Sequence, residues 1–149
     1  ALQVARADLQ PLMLAHGVEA AERNGVLEFY LRQNVRAESL SRDDLVREGD
    51  EPVLSETRSP DAELVGRVRL HHLDAEGKYE ARVGEAVLPE GALKPGSDSE
   101  LPLALTRDEG VAIAERFLAE AQTSRETVRL QLPPSRRDVR AGDTLRIDG

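Results

Sequence analysis

An Asn-Gly pair flanked by two short runs with the pattern of β-strands is the feature that most restricts the possible folds of this chain of 149 residues. The pair is Asn24-Gly25, and the runs cover residues 18–22 and 26–31. Both central residues of a type I′ turn need positive φ, which Asn and Gly adopt most readily. The pattern therefore predicts a β-hairpin. Alternation along its second strand places Leu27, Phe29 and Leu31 on one face and Glu28 and Tyr30 on the other.

A helix is predicted immediately before this hairpin. Its apolar residues recur at helical spacing: Leu9, Leu12 and Met13. Asp8 is the expected N-cap, which places Pro11 in the first turn, where a missing N–H costs least. The helix is expected to end at Gly17, and His16 is expected to cap its C-terminal end, where the helix dipole is negative. We therefore expect residues 1–34 to form a helix plus hairpin.

Residues 35–62 are predicted to be an acidic connector. Between Glu38 and Glu63 there are nine acidic residues and three arginines, a net charge of −6. Ser41 with Asp44 is expected to cap one short helical turn, and the remainder reads as an exposed loop. Two interpretations stay open for this charge: a solvated loop, or an arm that docks on a basic neighbour.

Residues 63–149 are predicted to be rich in strands. Alternation places Val68, Leu70 and His72 on one face, and a return strand is expected within 79–88. A loop is expected over 89–99, where Gly, Pro and Ser are frequent, followed by a short strand at 101–105 with Pro102 near a sheet edge.

The capping box formed by Thr106 and Glu109 predicts a helix over residues 107–124. It carries an apolar stripe that faces the core: Val111, Ala114, Phe117, Leu118 and Ala121. Further strands are expected at 128–132 and 144–147, the second after a turn made by Gly142 and Asp143. The expected fold is α+β, with a mostly antiparallel sheet, open or barrel-like, and one long packed helix.

Composition excludes several functions. The net charge of −8 argues against general or sequence-specific nucleic-acid binding, and the absence of Cys excludes a disulfide framework or a thiol nucleophile. Only four residues are aromatic, which leaves little surface for stacking sugars or bases. No apolar run has the roughly 20 residues needed to span a bilayer.

No arrangement of polar residues predicts an active site. His71 and His72 are adjacent in a strand and point to opposite faces, so they do not suit one metal. His72 is expected to be a hydrogen-bonded core or interface residue. Most acidic residues fall in predicted loops or first turns of helices, and Asp143 is expected to support a turn. We expect no enzymatic activity, catalytic residue, cofactor or metal; an enzyme, as a competing hypothesis, requires a deep pocket with converging ionisable groups.

The segment Arg125–Arg140 is the candidate interface. It holds five arginines and two acidic residues, a net charge of +3, opposite to that of the acidic connector. Its proposed contact residues are Arg129, Arg136, Arg137 and Arg140. The excess of arginine over lysine, 18 to 2, reflects either a genome rich in G and C or a set of donors for carboxylates at interfaces. If these arginines lie at an interface, reversing Arg136 and Arg137 to Glu should weaken assembly and leave the melting temperature nearly unchanged.

Five runs in order resemble one family. They are ARADLQPLMLAHGVEAAERNGVLEFYLR (5–32), LVREGDEP (45–52), ETRSPDAELVGRVRLHHLDAEGKYEA (56–81), LPLALTRDEGVAIAERFLAEA (101–121) and RETVRLQLPPSRRDVRAGDTLRIDG (125–149). The chain thereby resembles the large "host specificity" or baseplate hub protein of gene transfer agents and related siphophage-like tails. The resemblance extends over nearly the whole chain, although no single motif is diagnostic.

The resemblance implies a single module cut from a larger protein. Such modules are expected to form threefold hubs at the tail tip, as homotrimers that contact other tail and baseplate proteins. They would act in tail assembly, host attachment and DNA delivery, touching the host cell surface only indirectly, in a particle assembled in the bacterial cytoplasm. The resemblance carries no catalytic residues into this region. The alternative is a carbohydrate- or receptor-binding module of the same tail tip.

Overall fold

The computed structural model describes residues 2–23, 25–31, 37–47, 49–50, 52–140 and 142–148. In chain order the elements are α1 (Leu2–His16), β1 (Val18–Arg23), β2 (Val26–Leu31), β3 (Ala37–Ser41), β4 (Leu54–Arg58), β5 (Arg67–Asp74), β6 (Ala81–Val87), β7 (Gly96–Leu105), α2 (Arg107–Thr123), β8 (Glu126–Leu130) and β9 (Thr144–Asp148). Short 3-10 helices lie at Arg42–Asp44, Asp61–Glu63, Gly91–Leu93 and Pro134–Arg136. The α+β class predicted from the sequence is confirmed.

The chain divides into two compact units. The first unit comprises residues 1–16 and 58–126, and the second comprises residues 17–57 and 127–149. Each unit is therefore built from segments distant in sequence. The sequence predicted three consecutive regions, 1–34, 35–62 and 63–149. Their boundaries differ from those of the two units, because each unit combines segments from more than one of these regions.

The first unit is a three-stranded sheet with the order β6-β5-β7, covered by α2. Alternate residues of β5 are buried, with Val68 and His72 4% exposed or less and Leu70 completely buried. These positions confirm the predicted alternation. The core continues into α2 through Ile113, Ala114 and Leu118.

Two glycines allow α2 to lie directly on the sheet. A Cβ at Gly84 of β6 would stand 2.6 Å from the backbone of Gly110 in α2. Gly110 in turn lies against the ring of the buried His72. A larger side chain at either glycine would separate the helix from the strands, so these positions set the depth of the core.

The capping box of α2 is present as predicted. The Thr106 hydroxyl accepts a hydrogen bond from the Glu109 N–H, and a Glu109 carboxylate oxygen accepts one from the Thr106 N–H at 2.8 Å. Chiefly because of the Thr106 backbone donor, and then its hydroxyl, the pKa of Glu109 lies below its usual value. The acidic residues in this first turn therefore stabilise the N-terminal end of the helix.

Strand β7 corrects two sequence-based expectations. It begins at Gly96, inside the predicted loop 89–99, and it pairs with β5 in parallel. Its register shifts between the pairs His71–Glu100 and Leu73–Ala104, so Pro102 falls in an irregularity of an edge strand. The edge position of Pro102 was predicted. The strand is longer because pairing with β5 extends it beyond its apolar residues.

Helix α1 is longer than predicted. It begins at Leu2, so Asp8 is not its N-cap and Pro11 lies inside the helix. His16 is the last residue of α1, as expected, and Arg116 of α2 donates hydrogen bonds to the carbonyls of Leu14 and Ala15, the second at 3.0 Å. Arg116 thus satisfies carbonyl groups at the C-terminal end of α1 that have no partner within the helix. This contact helps to stabilise a helix that contains a proline in its interior, where the proline is unfavourable.

The second unit consists of paired strands rather than a layered core. The β1–β2 hairpin is antiparallel, as predicted, with Ala20 opposite Phe29 and with Gly25 at φ +77°; Asn24 lies outside the described residues. Strands β3 and β9 pair in parallel, and β4 pairs with β8. The described strands form four open sheets of two or three strands, with no closed barrel among them.

The prediction that most of the acidic connector 35–62 is an exposed loop is wrong. It contains β3 and β4, and within it Leu40 is 1% exposed. The one local prediction made there is confirmed, because Ser41 and Asp44 form a capping box on the 3-10 helix Arg42–Asp44. Strand β3 escaped prediction because its partner β9 lies about a hundred residues later in the chain.

Candidate assembly surface

The basic segment Arg125–Arg140 is not uniform. Arg136 Nη2 donates to Glu38 Oε2 at 3.0 Å, and Arg136 Nε lies 3.7 Å from Asp138 Oδ1. Arg125 Nη1 likewise donates to Asp61 Oδ1 at 3.0 Å. Both of these guanidinium groups are only about a quarter exposed, so they are used within the chain.

The other three arginines of the segment have no ion pair with any described residue: Arg129, Arg137 and Arg140. All three are exposed. Arg140 meets Asp143 only through its backbone N–H, which donates to Asp143 Oδ2 at 2.8 Å. Of the four predicted contact residues, Arg136 is therefore used within the chain, whereas the other three have no ion-pair partner among the described residues and can bind carboxylates. Their role at an interface remains a prediction.

The ion pair of Arg136 also changes the expected effect of reversing its charge. A glutamate at position 136 would face Glu38 and Asp138 and place three carboxylates together. The expectation that the double reversal of Arg136 and Arg137 leaves stability unchanged is thus unsound for Arg136. A test of the surface should use Arg137 instead.

An open groove lies in the second unit against β4 and β8. Its volume is about 770 Å³. Both apolar and polar residues line it, among them Val46, Val53, Val128, Ser55, Arg129 and Gln131. The Val46 N–H donates to the Gln131 carbonyl at 3.0 Å, which holds the end of β8 against the segment before β4. Arg129 is the one charged residue among those lining the groove in the described chain.

One face of the β1–β2 hairpin is apolar and uncovered within the second unit. The register and the alternation of side chains place Leu27, Phe29 and Leu31 on this face, and each is about half exposed. Glu22, opposite Leu27, lies on the same face. The opposite face carries Tyr30, whose hydroxyl lies so close to Gly142 that a Cβ there would overlap it. The hairpin is thus anchored on one face and bare on the other.

The outer face of the three-stranded sheet carries a charged cluster. Arg69 Nη2 donates to Asp98 Oδ2 at 2.9 Å, and His71 Nε2 lies 3.2 Å from Asp98 Oδ1. Hydrogen bonds from Arg69 and then His71 lower the pKa of Asp98, and the same carboxylate raises the pKa of Arg69. The three groups satisfy one another on an exposed surface, which is typical of a solvated ion-pair cluster.

The two adjacent histidines point to opposite faces, as predicted. His71 is exposed beside Asp98, whereas His72 is buried and its Nδ1 donates to the Leu73 carbonyl at 3.0 Å. His72 is the expected hydrogen-bonded core histidine. Among the described residues, no group of three or more His, Asp or Glu side chains has a geometry suited to a metal ion.

Asp143 supports a turn, as expected, by accepting the Arg140 N–H before β9. In the part of the chain that the structure describes, no helix has both the length and the apolar character to cross a membrane.

Sequence reasoning missed the groove and the bare hairpin face. The hairpin face was correctly assigned to Leu27, Phe29 and Leu31, but alternation alone does not show whether such a face is covered. The groove depends on the pairing of β4 with β8 and on the contact of Val46 with Gln131, residues far apart in sequence. The one feature of the sequence that pointed to the groove is Arg129, a charged residue between the apolar Val128 and Leu130 of a predicted strand.

Comparison with known proteins identifies the family. Residues 4–149 match the model of the family described as "Putative phage tail protein". The chain is also similar to a protein chain of the "Virion of native gene transfer agent (GTA) particle", with 46% sequence identity and a TM-score of 0.89. The similarity covers 98% of this chain and 33% of that one, so the present chain spans about a third of its relative's length. No curated protein matches the chain.

The family model extends over nearly the whole chain, and the structural similarity extends through both units. The kinship with phage-like tails that the ordered runs predicted is confirmed at the level of the family. The chain belongs to this family of phage tail proteins.

Proposed function

We propose that the chain is a structural and interaction module of a baseplate hub at the tip of a phage-like tail, of the gene transfer agent type. The observation that carries this proposal is the 46% identity, over nearly the full chain, with a chain of a gene transfer agent virion. At that identity and a TM-score of 0.89, the two share a fold in detail. The chain would therefore occupy a comparable place in its particle.

The hub, in this proposal, contains copies of the chain in a homotrimer and binds other tail and baseplate proteins. It takes part in tail assembly, in host attachment and in the passage of DNA, and it touches the host cell surface only through other components. The particle is assembled in the bacterial cytoplasm. The module spans about a third of its relative's chain, so other regions of such a protein would provide further contacts.

The distribution of polar groups supports a role in contacts rather than catalysis. The charged side chains that converge, as at Asp98, satisfy one another on an exposed surface. Three guanidinium groups, by contrast, have no partner among the described residues. Arginine is enriched at protein interfaces, so exposed arginines without a described ion-pair partner suit such a contact. We propose that the module has no catalytic activity of its own.

The free arginines allow a direct test. Arg137→Glu reverses a charge that no described residue pairs, so the melting temperature should change little while the recovery of tail proteins with the tagged module from producing cells should fall about tenfold. Arg107→Glu is the matched control, because Arg107 is an exposed arginine in the first turn of α2. Equal recovery with both variants, together with no module detectable in purified particles, would contradict the proposed function.

A carbohydrate- or receptor-binding module is the second candidate, and the open groove favours it. The groove of about 770 Å³ is large enough for a small ligand, and Arg129 and Gln131 supply polar groups at its wall. Against it, none of the lining residues is aromatic, so the groove lacks a stacking surface for a sugar ring. Binding of the chain to a glycan array, abolished by Arg129→Ala, would establish this second function.

A further inference from the structure

The bare hairpin face combines an apolar surface with one carboxylate. Leu27, Phe29 and Leu31 are about half exposed on it, and Glu22 is its one acidic residue among the described positions. Because Tyr30 anchors the opposite face near Gly142, the apolar face is presented on a held hairpin rather than on a free loop. A hairpin held on one face loses less conformational entropy when it binds than a free loop does, which favours its use as a contact.

The groove against β4 and β8 is the counterpart of this face. Val46 and Val128 line it and are 39% and 47% exposed, and the polar residues Ser55 and Gln131 line it as well. Among the described residues, Arg129 is the one charged residue that lines it, and none of them supplies Arg129 with a carboxylate partner. The hairpin face and the groove therefore both expose apolar side chains, and each carries one charge, of opposite sign. Arg binds carboxylates strongly through its planar fork.

We infer that the hairpin face of one copy of this chain docks in the β4–β8 groove of a second copy, with Glu22 paired to Arg129. This inference rests on the proposed function, because it names the contact through which copies of the module meet. Both halves belong to the same chain, so no other partner is needed. The half-exposed Phe29 shows that the chain's own groove does not cover the hairpin.

A contact between two different surfaces of the same chain is a heterologous contact. Such a contact leaves one hairpin and one groove unoccupied at the ends of any open chain of copies. The free ends are satisfied when the rotation between neighbours closes a ring. The pairing of hairpin and groove thus suits a closed ring of copies better than a twofold dimer.

Because the chain contains no cysteine, cross-links through thiol groups can form only at cysteines that are introduced for the test. A mixture of Glu22→Cys chains and Arg129→Cys chains, treated under native conditions with a short bis-maleimide reagent, should form a covalently linked dimer, because a glutamate–arginine pair holds its Cα atoms farther apart than the roughly 7 Å that a disulfide bridges. Neither variant should cross-link to its own kind. The matched control replaces Glu22→Cys with Val26→Cys, on the opposite hairpin face at 60% exposure, and should give at least about tenfold less product.

Sedimentation across a concentration series tests the same contact without cross-links. Glu22→Arg or Arg129→Glu alone should weaken self-association about tenfold, and the double reversal should restore it to within about threefold of wild type. Phe29→Ser should weaken it about thirtyfold, while Val26→Ser should leave it unchanged. Circular dichroism verifies that each variant is folded.

Three results would overturn the inference. They are equal cross-linking by the two mixtures, an absence of rescue in the double reversal, and a wild-type chain that stays monomeric up to on the order of 1 mM. Arg137→Glu separates this failure from failure of the proposed function. It should reduce recovery of other tail proteins without changing self-association, so a lost hairpin contact with an intact Arg137 effect refutes the docking alone.

Discussion

The two units of this chain are stabilised in different ways. Of the twelve buried apolar residues among the described positions, ten lie in the first unit and only two, Leu40 and Leu45, lie in the second. The first unit has a sheet of three strands with a helix packed on it, and the second has strands in pairs. The first unit therefore has its own apolar core, and the second depends mainly on backbone pairing.

This difference indicates a division of roles. Two-stranded sheets are marginally stable in water unless something packs against them, whereas a third strand and a helix provide independent stability. The second unit also holds the bare hairpin face, the groove and the three arginines that have no ion-pair partner among the described residues. The surfaces proposed for assembly thus lie where the chain has the least core of its own. Contacts with other copies would supply the burial that this unit lacks.

Truncation in the first core should have the largest effect. Leu70 is completely buried on β5, so Leu70→Ala should lower the free energy of unfolding by about 2–5 kcal/mol through lost burial and the cavity left behind. Leu93→Ala is the control, because Leu93 is 99% exposed, and its effect should stay within about 0.5 kcal/mol. Urea unfolding followed by circular dichroism measures both. Similar losses from the two substitutions would refute the assignment of the core.

Hydrogen exchange would sharpen the same comparison. Amides of β5 should exchange through global unfolding, and those of β1 and β2 through easier local opening. Equal protection in the two units would mean that the second unit is as stable as the first.

A glycine in the second unit should have an intermediate effect. Gly142 has a φ of +93°, and a Cβ there would overlap the Tyr30 hydroxyl. Gly142→Ala should destabilise the second unit by roughly 1–3 kcal/mol and speed exchange at β2 while leaving β5 unchanged.

Gly25→Ala is the matched control for this substitution. Gly25 also has positive φ, +77°, but no atom lies within 4 Å of its Cβ position. It therefore carries the backbone strain without the collision. If both alanine variants accelerate β2 exchange equally, contact with Tyr30 does not hold the hairpin.

Local features were predictable from the sequence because their causes lie within a few residues. The β1–β2 hairpin, the burial of Val68, Leu70 and His72, and the capping box at Thr106 all follow from turn chemistry, alternation or capping. Each is present in the structure. The start of α1 was missed because Pro11 and Asp8 resemble a helix beginning, whereas the observed helix continues through both.

Features that depend on distant partners were not predictable. The parallel pairing of β3 with β9 joins residues about a hundred positions apart, and neither strand has a strong apolar pattern. The division of the arginines is similar, since only the structure shows that Arg136 pairs with Glu38 while Arg129 and Arg137 do not. Charge patterning identified the basic segment, but it did not distinguish a guanidinium group that holds the fold from one available for contacts.

The smallest expected effect concerns the charged cluster on the outer face of the first unit. Hydrogen bonds from Arg69 and His71 lower the pKa of Asp98, so its carboxylate stabilises the folded chain above the ordinary aspartate pKa of about 3.9. This contribution is lost as the pH falls through the lowered pKa. Asp98→Asn should therefore lower the unfolding midpoint slightly at neutral pH, and the difference from wild type should shrink as the pH falls through the lowered pKa of Asp98.

Glu100→Gln is the control for Asp98→Asn. Glu100 is an exposed carboxylate on the same strand, and it has no hydrogen bond or ion pair with a described residue. Its substitution should lower the midpoint less than Asp98→Asn does at neutral pH, because no described side chain binds the Glu100 carboxylate. Urea midpoints measured between about pH 2 and pH 7 distinguish the two profiles, because only a carboxylate stabilised in the folded state gives a pH-dependent difference. A flat profile for Asp98→Asn would show that the cluster is solvated without stabilising the sheet, and the stability of the first unit would then rest on its apolar core alone.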